Sequence, residues 1–307
     1  MTFFAIVLAL AIDQAKPLPA ARVESWLRAY GAFLDVRFNA GERHHGLAAW
    51  MAGVAAPVAI LLALQAALFY LGHPLLTLAL GVGVLYLTAG FRQFSHFFTD
   101  IHLALRMGEL ERARQLLAAW RGCSTEHMGS TEIARLAIEQ ALVSSHRHVF
   151  GPFCCFAVLG PAGALLYRLS LSFRQQWGER CDAEFGDFGA FAAQAFAVID
   201  WLPVRLTAAS FAVVGDFEDA VYCWRNQAQR WPEEGPGILL ASGGGALGVR
   251  LGMPLHQDSA MADRPEMGMD DEADADFMQS TIGLVWRTLV MALFLLALLW
   301  VASWVGS

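Results

Sequence analysis

Charged residues are scarce in this 307-residue chain. They make up 16% of it, against roughly 25% in soluble globular proteins. Residues of the AVILMFWYC set account for 56%, and the mean hydropathy is +0.45. So few charges cannot cover a soluble globule of this size, and so many apolar residues exclude a disordered chain. The composition therefore predicts a membrane protein.

The chain also lacks an excess of positive charge and a cysteine pattern of known purpose. Its net charge of -7 gives the phosphates of nucleic acid no counter-charge. The five cysteines are odd in number and form no C-x-x-C pair, which excludes a zinc ribbon and argues against a disulfide framework. No Ser/His/Asp or Cys/His set stands at a recognisable motif, so nothing indicates a covalent nucleophile.

Long apolar runs are present instead, and a helix needs about 20 such residues to cross a bilayer. The four candidate spans are Gly46–Leu71, Leu75–Phe91, Phe150–Leu169 and Ile282–Val305. The first two are joined by Gly72-His73-Pro74, which predicts a helical hairpin. The third contains a Gly160-Pro161 break. Four spans are therefore the minimum that we expect.

Two further apolar segments are ambiguous. Phe3–Ile12 is about half the length of a span and lacks the features of a cleaved signal peptide, so we expect a retained interfacial or re-entrant helix. Phe191–Val214 contains Asp200, Pro203 and Arg205, so we expect it to face protein or a cavity rather than lipid. The predicted fold is all-α, a polytopic membrane protein with four to six membrane-embedded helices and a cytoplasmic helical insertion.

The polar stretch Arg92–Arg147 predicts that insertion. Within it a helix is expected over Thr131–Val143, with Ser130 as its N-cap. Basic residues precede and follow the hairpin, and a hairpin returns to the side that it left. The positive-inside rule then places both basic stretches in the cytoplasm and the chain in a bacterial inner membrane, as a multi-pass protein.

These observations predict seven segments along the chain. They are N-terminal apolar and interfacial helices (1–45), a transmembrane hairpin (46–91), a helical cytoplasmic region (92–148), a transmembrane helix (149–173), a motif region (174–257) with an embedded helix (191–214) and a Gly-rich loop (242–252), a flexible acidic linker (258–278), and a C-terminal transmembrane helix (279–307).

The Gly-rich segment 242–252 is the most specific local motif. Consecutive glycines such as Gly245, with Gly248 nearby, allow backbone N–H groups to converge on an anion, and Arg250 could grip a phosphate. The spacing is neither a Walker A motif nor a dinucleotide fingerprint. A flexible loop before a short helix remains the alternative.

Two more segments place arginine in apolar surroundings. Asp200 and Arg205 flank Pro203, which bends a helix and frees a carbonyl, so the acid and base either serve a ligand or form a structural ion pair. Arg168 follows Tyr167 near the end of a predicted span. It is either a ligand-binding group or an anchor at the membrane surface.

No metal site is predicted from the histidines. His44 and His45 beside Glu42, and His96 one turn before Asp100, offer suitable donors, but solvated interfacial histidines are commoner. His146 and His148 stand two apart, so their side chains diverge on a helix. Arg147 between them would repel a cation.

In this order the motifs resemble the CobD/CbiB superfamily of membrane proteins in cobalamin biosynthesis. The segments that carry the resemblance are Ala113-Arg114, Glu132-Ile133-Ala134-Arg135, Glu139, Phe150-Gly151-Pro152-Phe153, Gly160 to Arg168, Leu202 to Thr207 and Gly245 to Gly252. The resemblance to the CbiB branch implies ATP-dependent amide formation between a corrinoid carboxylate and aminopropanol phosphate. Such chemistry needs arginines for phosphates and carboxylates for Mg²⁺.

The sequence departs from that branch where carboxylates are expected. The CbiB pattern has Glu-Asn and Asp-Gly where this chain has Val143-Ser144 and Arg147-His148, and Asn-Thr-Leu-Asp where it has Ser170 to Phe173. Three carboxylates are therefore replaced, one of them by a cation. The AmpE branch, regarded as signalling modulators in β-lactamase induction, is similar at Arg147, at Asp200 to Leu206 and at Met1 to Phe4.

We therefore predict a membrane protein of this superfamily, between the CbiB and AmpE branches, that binds a phosphorylated or nucleotide-like ligand. The predicted ligand-binding residues are Arg168, Arg205, Arg250, Gly245 and Gly248, converging on one pocket, with Arg147, Glu139 and Asp200 in support. The candidate partners are the lipid bilayer, a corrinoid or phosphorylated small molecule and a second copy of the chain, with no nucleic acid.

Three alternatives stay open. One is an active adenosylcobinamide-phosphate synthase, an amide ligase using Mg-ATP, whose metal is held by Asp182, Glu184, Asp187 or Asp200. Another is an AmpE-like modulator of the cell-wall and β-lactamase response. The third is a structural protein that assembles other membrane proteins through its small-residue spans.

Overall fold

The computed structural model describes residues 2–16, 20–122, 125–180, 185, 187–257, 260–262 and 264–305. The helices are α1 (Thr2–Ala15), α2 (Ala20–Phe38), α3 (Arg43–Trp50), α4 (Ala56–Tyr70), α5 (Pro74–Thr88), α6 (Phe91–Arg106), α7 (Leu110–Arg121), α8 (Ser130–Ser145), α9 (Gly151–Leu159), α10 (Pro161–Phe173), α11 (Ala190–Val214), α12 (Phe217–Gln227), α13 (Glu234–Leu247) and α14 (Ala275–Val305). Short π-helical turns occupy Met51–Ala55, His146–Phe150 and Arg174–Gly178, and a 3₁₀ turn occupies Ala228–Arg230. The strands are β1 (Arg250–Gly252), β2 (Leu255–Gln257), β3 (Ala260–Ala262) and β4 (Glu266–Gly268).

Three helical runs in the described part of the chain are long and apolar enough to cross a bilayer. They are Arg43–Tyr70, Ala190–Val214 and Ala275–Ala302. Large apolar side chains on them, such as Ile60 and Phe294, are exposed, and lipid is the solvent that makes such exposure favourable. The chain is therefore an all-α membrane protein, as its composition predicts.

The predicted hairpin has a shorter second arm than expected. Gly72 adopts a φ of +69° between α4 and α5, and Pro74 begins α5, where a missing N–H costs nothing. The helix α5 ends at Thr88 after 15 residues, so it falls short of the about 20 that a straight crossing requires.

The predicted transmembrane helix over 149–173 is divided into two helices at the Gly160-Pro161 break that the sequence indicates. Gly160 adopts a φ of +65° and Pro161 starts a new helix, so the segment forms α9 and α10, of 9 and 13 residues. At about 1.5 Å per residue neither crosses about 30 Å of hydrocarbon. The residue at 163 must also be small, because a Cβ there would lie 2.0 Å from the carbonyl oxygen of Cys155.

The chain divides into two compact units. Unit 1 comprises Met1–Phe91, Arg147–Pro203 and Leu296–Ser307, and unit 2 comprises Arg92–His146 and Val204–Leu295. The helix α10 runs through unit 1 and packs against α2, α4, α5 and α9. An aromatic cluster that includes Phe173, Trp177 and Phe188 closes the core around its end.

Unit 2 is built around α8, α12 and α13. Their neighbours include β1, which pairs antiparallel with β4 so that Leu251 lies opposite Met267. The predicted flexible linker at 258–278 is therefore wrong in part. Met267 is a fully buried residue of β4, and α14 already begins at Ala275.

The predicted N-cap of α8 is displaced by one residue. Gly129, not Ser130, has the extended backbone of an N-cap. The carboxylate of Glu132 accepts the Gly129 N–H at 2.9 Å, which satisfies one donor at the start of the helix.

Candidate functional site

A buried arginine lines a cavity in unit 1. Arg168, on α10, is only 6% exposed. The cavity has a volume of about 260 Å³ and is lined by Glu24, Leu27, Arg28, His148, Arg168, Ser172, Gln175 and Gln176. That volume is slightly below the about 300 to 1,000 Å³ of pockets that enclose drug-sized ligands. It suits a small anion or one end of a larger molecule.

Arg168 has few partners for a buried cation. Its Nη1 lies 2.8 Å from Nδ1 of His148, while its Nε is buried without a hydrogen-bond partner. Among the described residues no carboxylate oxygen lies within 4.0 Å of its guanidinium; Glu24, on the same cavity, pairs instead with Arg28 at 3.9 Å. A buried guanidinium without a nearby carboxylate favours the binding of an anion, because the anion supplies the opposite charge and accepts its N–H groups.

The contact with Arg168 fixes the state of His148. A guanidinium has only donors, so Nδ1 of His148 must accept, and a neutral imidazole then carries its proton on Nε2. Burial lowers the pKa of His148 well below its ordinary value, and the charges of Arg168 and Arg147 lower it further. The imidazole is therefore neutral at pH 7, and its Nε2–H remains as a donor.

The lowered pKa of His148 predicts a loss of stability in mild acid. His148 of the unfolded chain takes up a proton with an ordinary pKa of about 6.5, whereas in the folded chain protonation requires a lower pH. The contribution of neutral His148 to stability is therefore fully present above about pH 6.5 and decreases as the pH falls below it. One proton contributes at most about 1.4 kcal/mol per pH unit. We expect the unfolding temperature to fall more between pH 7.5 and 5 in the wild type than in His148→Gln, which keeps an acceptor and does not titrate. Identical pH profiles would contradict this assignment.

Asp200 and Arg147, predicted as supporting residues, also lie in unit 1. Asp200 on α11 is buried and accepts a hydrogen bond of 2.9 Å from the hydroxyl of Tyr167. Tyr167 immediately precedes Arg168 on α10, so this contact fixes the helix turn that carries the arginine. Arg147 is half-buried one residue before His148.

Arg205 and Arg250, the other predicted arginines, lie in unit 2 and have carboxylate partners there. Arg205 on α11 pairs with Glu234 at the start of α13. Arg250 in β1 pairs with Glu266 at 2.9 Å and approaches Asp270 at 4.0 Å. Their charges are thus balanced locally, unlike that of Arg168. The convergence of all three arginines on one pocket stays a prediction.

The predicted Gly-rich loop at 242–252 is wrong. Residues up to Leu247 are helix α13, and Gly248 ends it with a φ of +76°. Close packing explains the glycines, because a Cβ on Gly245 would lie 2.5 Å from the carbonyl oxygen of Asp219 at the start of α12. Gly245 and Gly248 direct their N–H groups into the helix and its terminal turn. Their part in phosphate binding stays a prediction that this geometry does not favour.

Unit 2 contains a buried charged cluster around Glu139, the third predicted supporting residue. Glu139 on α8 is 5% exposed; it accepts the N–H of Gly252 at 2.8 Å and a hydrogen bond from Arg264. The Arg264 guanidinium also lies 4.9 Å from the ring centroid of Trp231. Arg135, one turn before Glu139, is buried as well. Burial lowers the pKa of Arg135, and the negative charge of Glu139 offsets part of that change. Arg264 therefore pairs with the Glu139 carboxylate, and Arg135 interacts with the same carboxylate through its charge alone.

Sequence reasoning missed several residues of these two sites. The sequence suggests His148 only as an unsuitable metal ligand, whereas in the structure its Nδ1 lies 2.8 Å from Nη1 of Arg168. The α2 side chains of the unit 1 cavity, and Arg264 and Trp231 in unit 2, carry no motif that would have identified them. Asp182 and Glu184, two of the alternative Mg²⁺ ligands, lie outside the described residues.

The comparisons with known proteins identify the family of this chain. A family model described as CobD/Cbib protein matches residues 3–303. The chain therefore belongs to the CobD/CbiB family. No solved structure matches it.

Curated relatives carry the name "Cobalamin biosynthesis protein CobD". The protein of Stutzerimonas stutzeri is 32% identical over 263 residues, which cover 82% of each chain. The protein of Chromobacterium violaceum is 33% identical over 195 residues, covering 64% of this chain and 62% of its own. The protein of Mycobacterium tuberculosis strain H37Rv is 28% identical over 169 residues, or 53% and 54% of the two chains. The likeness to AmpE proteins stays a prediction.

Proposed function

We propose that this CobD/CbiB-family protein binds the phosphoryl group of a phosphorylated or nucleotide-like ligand in the unit 1 cavity, with Arg168 as the principal binding residue. The observation that carries the proposal is the buried Arg168 guanidinium, which has one neutral hydrogen-bond partner and no carboxylate within 4.0 Å among the described residues. A phosphoryl group would supply the missing charge and accept the N–H groups that are left.

The rest of the cavity supports the same ligand class. With His148 neutral, its charged side chains are Arg168, Arg28 and Glu24, a net charge of +1. The neutral donors are Nε2–H of His148 and the side chains of Ser172 and Gln175. The amide of Gln176 already donates to the Leu27 carbonyl and to Oγ of Ser172, so it helps to position Ser172. A phosphoryl group accepts several hydrogen bonds at once, so such a mixture of cations and neutral donors is suitable for it.

The setting that we propose is the bacterial inner membrane, with the chain crossing it several times. The ligand would then enter from the cytoplasm, where the basic segments are predicted to lie. A role in corrinoid handling follows from family membership and from the relatives that are named cobalamin biosynthesis proteins.

Binding and catalysis can be tested separately. The full chain in detergent would be titrated calorimetrically with aminopropanol phosphate and with ATP, each with and without Mg²⁺. We expect saturable binding of at least one of these compounds, competed by inorganic phosphate. Absence of binding by both compounds at millimolar concentration would overturn the proposal.

The competing function is the active amide ligase, which family membership favours. Expression in a strain that lacks adenosylcobinamide-phosphate synthase would test it. Restored growth on cobyric acid would show catalysis, whereas failure despite confirmed membrane insertion would leave a binding protein.

A further inference from the structure

Two histidines and a glutamate meet at the start of α3 in unit 1, apart from the Arg168 cavity. Each of Glu42, His44 and His45 has a ligand-type atom, and these three atoms lie within 4.8 Å of one another. Nδ1 of His44 is 2.9 Å from Oε2 of Glu42, and the two imidazole centroids are 3.9 Å apart. Glu42 is the extended N-cap residue of α3. Its side chain can therefore approach those of the first helical turn.

His45 provides a second, independent observation. Its Nδ1 is buried and has no hydrogen-bond partner among the described residues. A buried nitrogen without a partner is costly, and native structures usually satisfy it with protein, water or an ion. The other two groups of the cluster that can ligate a metal are the imidazole of His44 and the carboxylate of Glu42.

The neighbouring cation, Arg43, binds another helix rather than the cluster of Glu42, His44 and His45. Arg43 lies between the ligands in sequence, but its Nη2 donates to Oε1 of Gln194 on α11 at 2.6 Å. A cavity of about 550 Å³ opens beside the cluster, lined by Glu42, Arg43, His44, Leu47 and Phe191. An ion held by the three residues would therefore keep open space on one side.

We propose that Glu42, His44 and His45 bind a transition-metal ion of the Zn²⁺ type, with His45 coordinating through Nδ1 and the remaining position open to this cavity. Two imidazoles and one carboxylate suit Zn²⁺, Co²⁺ or Ni²⁺, whereas Mg²⁺ and Ca²⁺ prefer oxygen ligands alone. Structural zinc sites have four protein ligands, whereas three protein ligands leave one coordination position for water or another ligand.

The sequence alone favoured solvated histidines over a metal site at this place. What changes the interpretation is the tertiary structure. The partner of Arg43 lies 151 residues away on another helix, and the burial of His45 Nδ1 depends on the fold. Neither fact is visible in the short motif Glu42 to His45.

The test uses the full chain, purified in detergent without a polyhistidine tag. Zn²⁺ alone is titrated calorimetrically, and Co²⁺ alone is followed by its visible absorption. We expect one ion per chain, and a loss of affinity of at least about tenfold in His44→Ala, His45→Ala and Glu42→Gln, since changes merely in outer-shell partners already cost 10- to 100-fold. His73→Ala, an exposed histidine in the turn before α5, is the matched control and should bind like the wild type.

The result that overturns the proposal is equally plain. Wild-type stoichiometry and affinity in Glu42→Gln and His45→Ala would assign the metal to other residues, and no binding at micromolar Zn²⁺ would remove the site. Glu42→Gln preserves shape and lies on an exposed residue, so it keeps the test valid if a histidine variant fails to fold. None of these changes touches the Arg168 cavity, so failure here leaves the phosphate proposal unaffected.

Discussion

Replacing Arg168 with glutamine is expected to weaken binding of the phosphorylated ligand by about 30-fold or more. Removing one partner of a buried, hydrogen-bonded charge pair costs about 2 to 5 kcal/mol, and about 1.4 kcal/mol corresponds to a factor of ten. Without ligand, the same change removes a buried charge that has no carboxylate within 4.0 Å among the described residues. The unliganded variant should therefore unfold at a temperature no lower than that of the wild type.

A variant that loses ligand affinity but keeps its unfolding temperature identifies Arg168 as a binding residue. A structural arginine would lose stability on substitution, and any loss of ligand affinity would follow from that. Calorimetric titration and thermal unfolding of the same preparation measure both quantities. Wild-type affinity in Arg168→Gln would contradict the account.

Arg205→Gln and Arg250→Gln are the matched controls. Each removes an arginine that pairs with a carboxylate in unit 2, so each should bind ligand within a few-fold of the wild type if Arg168 acts from its own cavity. A loss as large as that of Arg168→Gln in both variants would support the pocket of three converging arginines instead.

Replacing Glu139 with glutamine is expected to have the largest effect on stability, about 3 to 5 kcal/mol. Removing one partner of a buried ion pair leaves an uncompensated buried charge. Here it would leave two, because Arg264 donates to Glu139 and Arg135 lies one turn away without a hydrogen-bond partner in the described part of the chain. Chemical unfolding in detergent, followed by the circular dichroism of the helices, measures the loss.

Glu132→Gln is the control for this prediction. Glu132 lies on the same helix, but its half-buried carboxylate caps the start of α8 and interacts with Arg135 less strongly than Glu139 does. Its loss should therefore cost only about 1 kcal/mol. Equal destabilisation by the two variants would contradict the buried cluster. It would mean that Glu139 acts as an ordinary surface carboxylate.

The helical membrane fold could largely be predicted, because hydropathy and helix breakers are local properties of the sequence. The run Gly46–Leu71 and the break at Gly160-Pro161 follow directly from residue types. The run Gly243 to Gly245 shows where this reasoning fails. Glycine permits both a loop and a close helix contact, and only the neighbouring α12, whose Asp219 carbonyl lies beside Gly245, decides between them.

The candidate sites could be predicted only in part. Arg168 was identifiable, because it ends the segment Gly160 to Arg168, which carries part of the family resemblance. Its surroundings were not, because the cavity also requires α2, more than 130 residues away in sequence. The helical spacing of Arg135 and Glu139 is typical of the polar face of a helix, yet both are buried. Their burial depends on β1 and Arg264, which pack over them from a distant part of the chain.

The most direct test of the account is to locate a bound anion. Tungstate has the tetrahedral shape and charge of a phosphate analogue, and its anomalous scattering marks its position in a crystal of the full chain. The account predicts a peak in the unit 1 cavity, with oxygens about 2.7 to 2.9 Å from the Arg168 guanidinium. A tungstate bound at Arg205 or Arg250, with the Arg168 cavity empty, would contradict it.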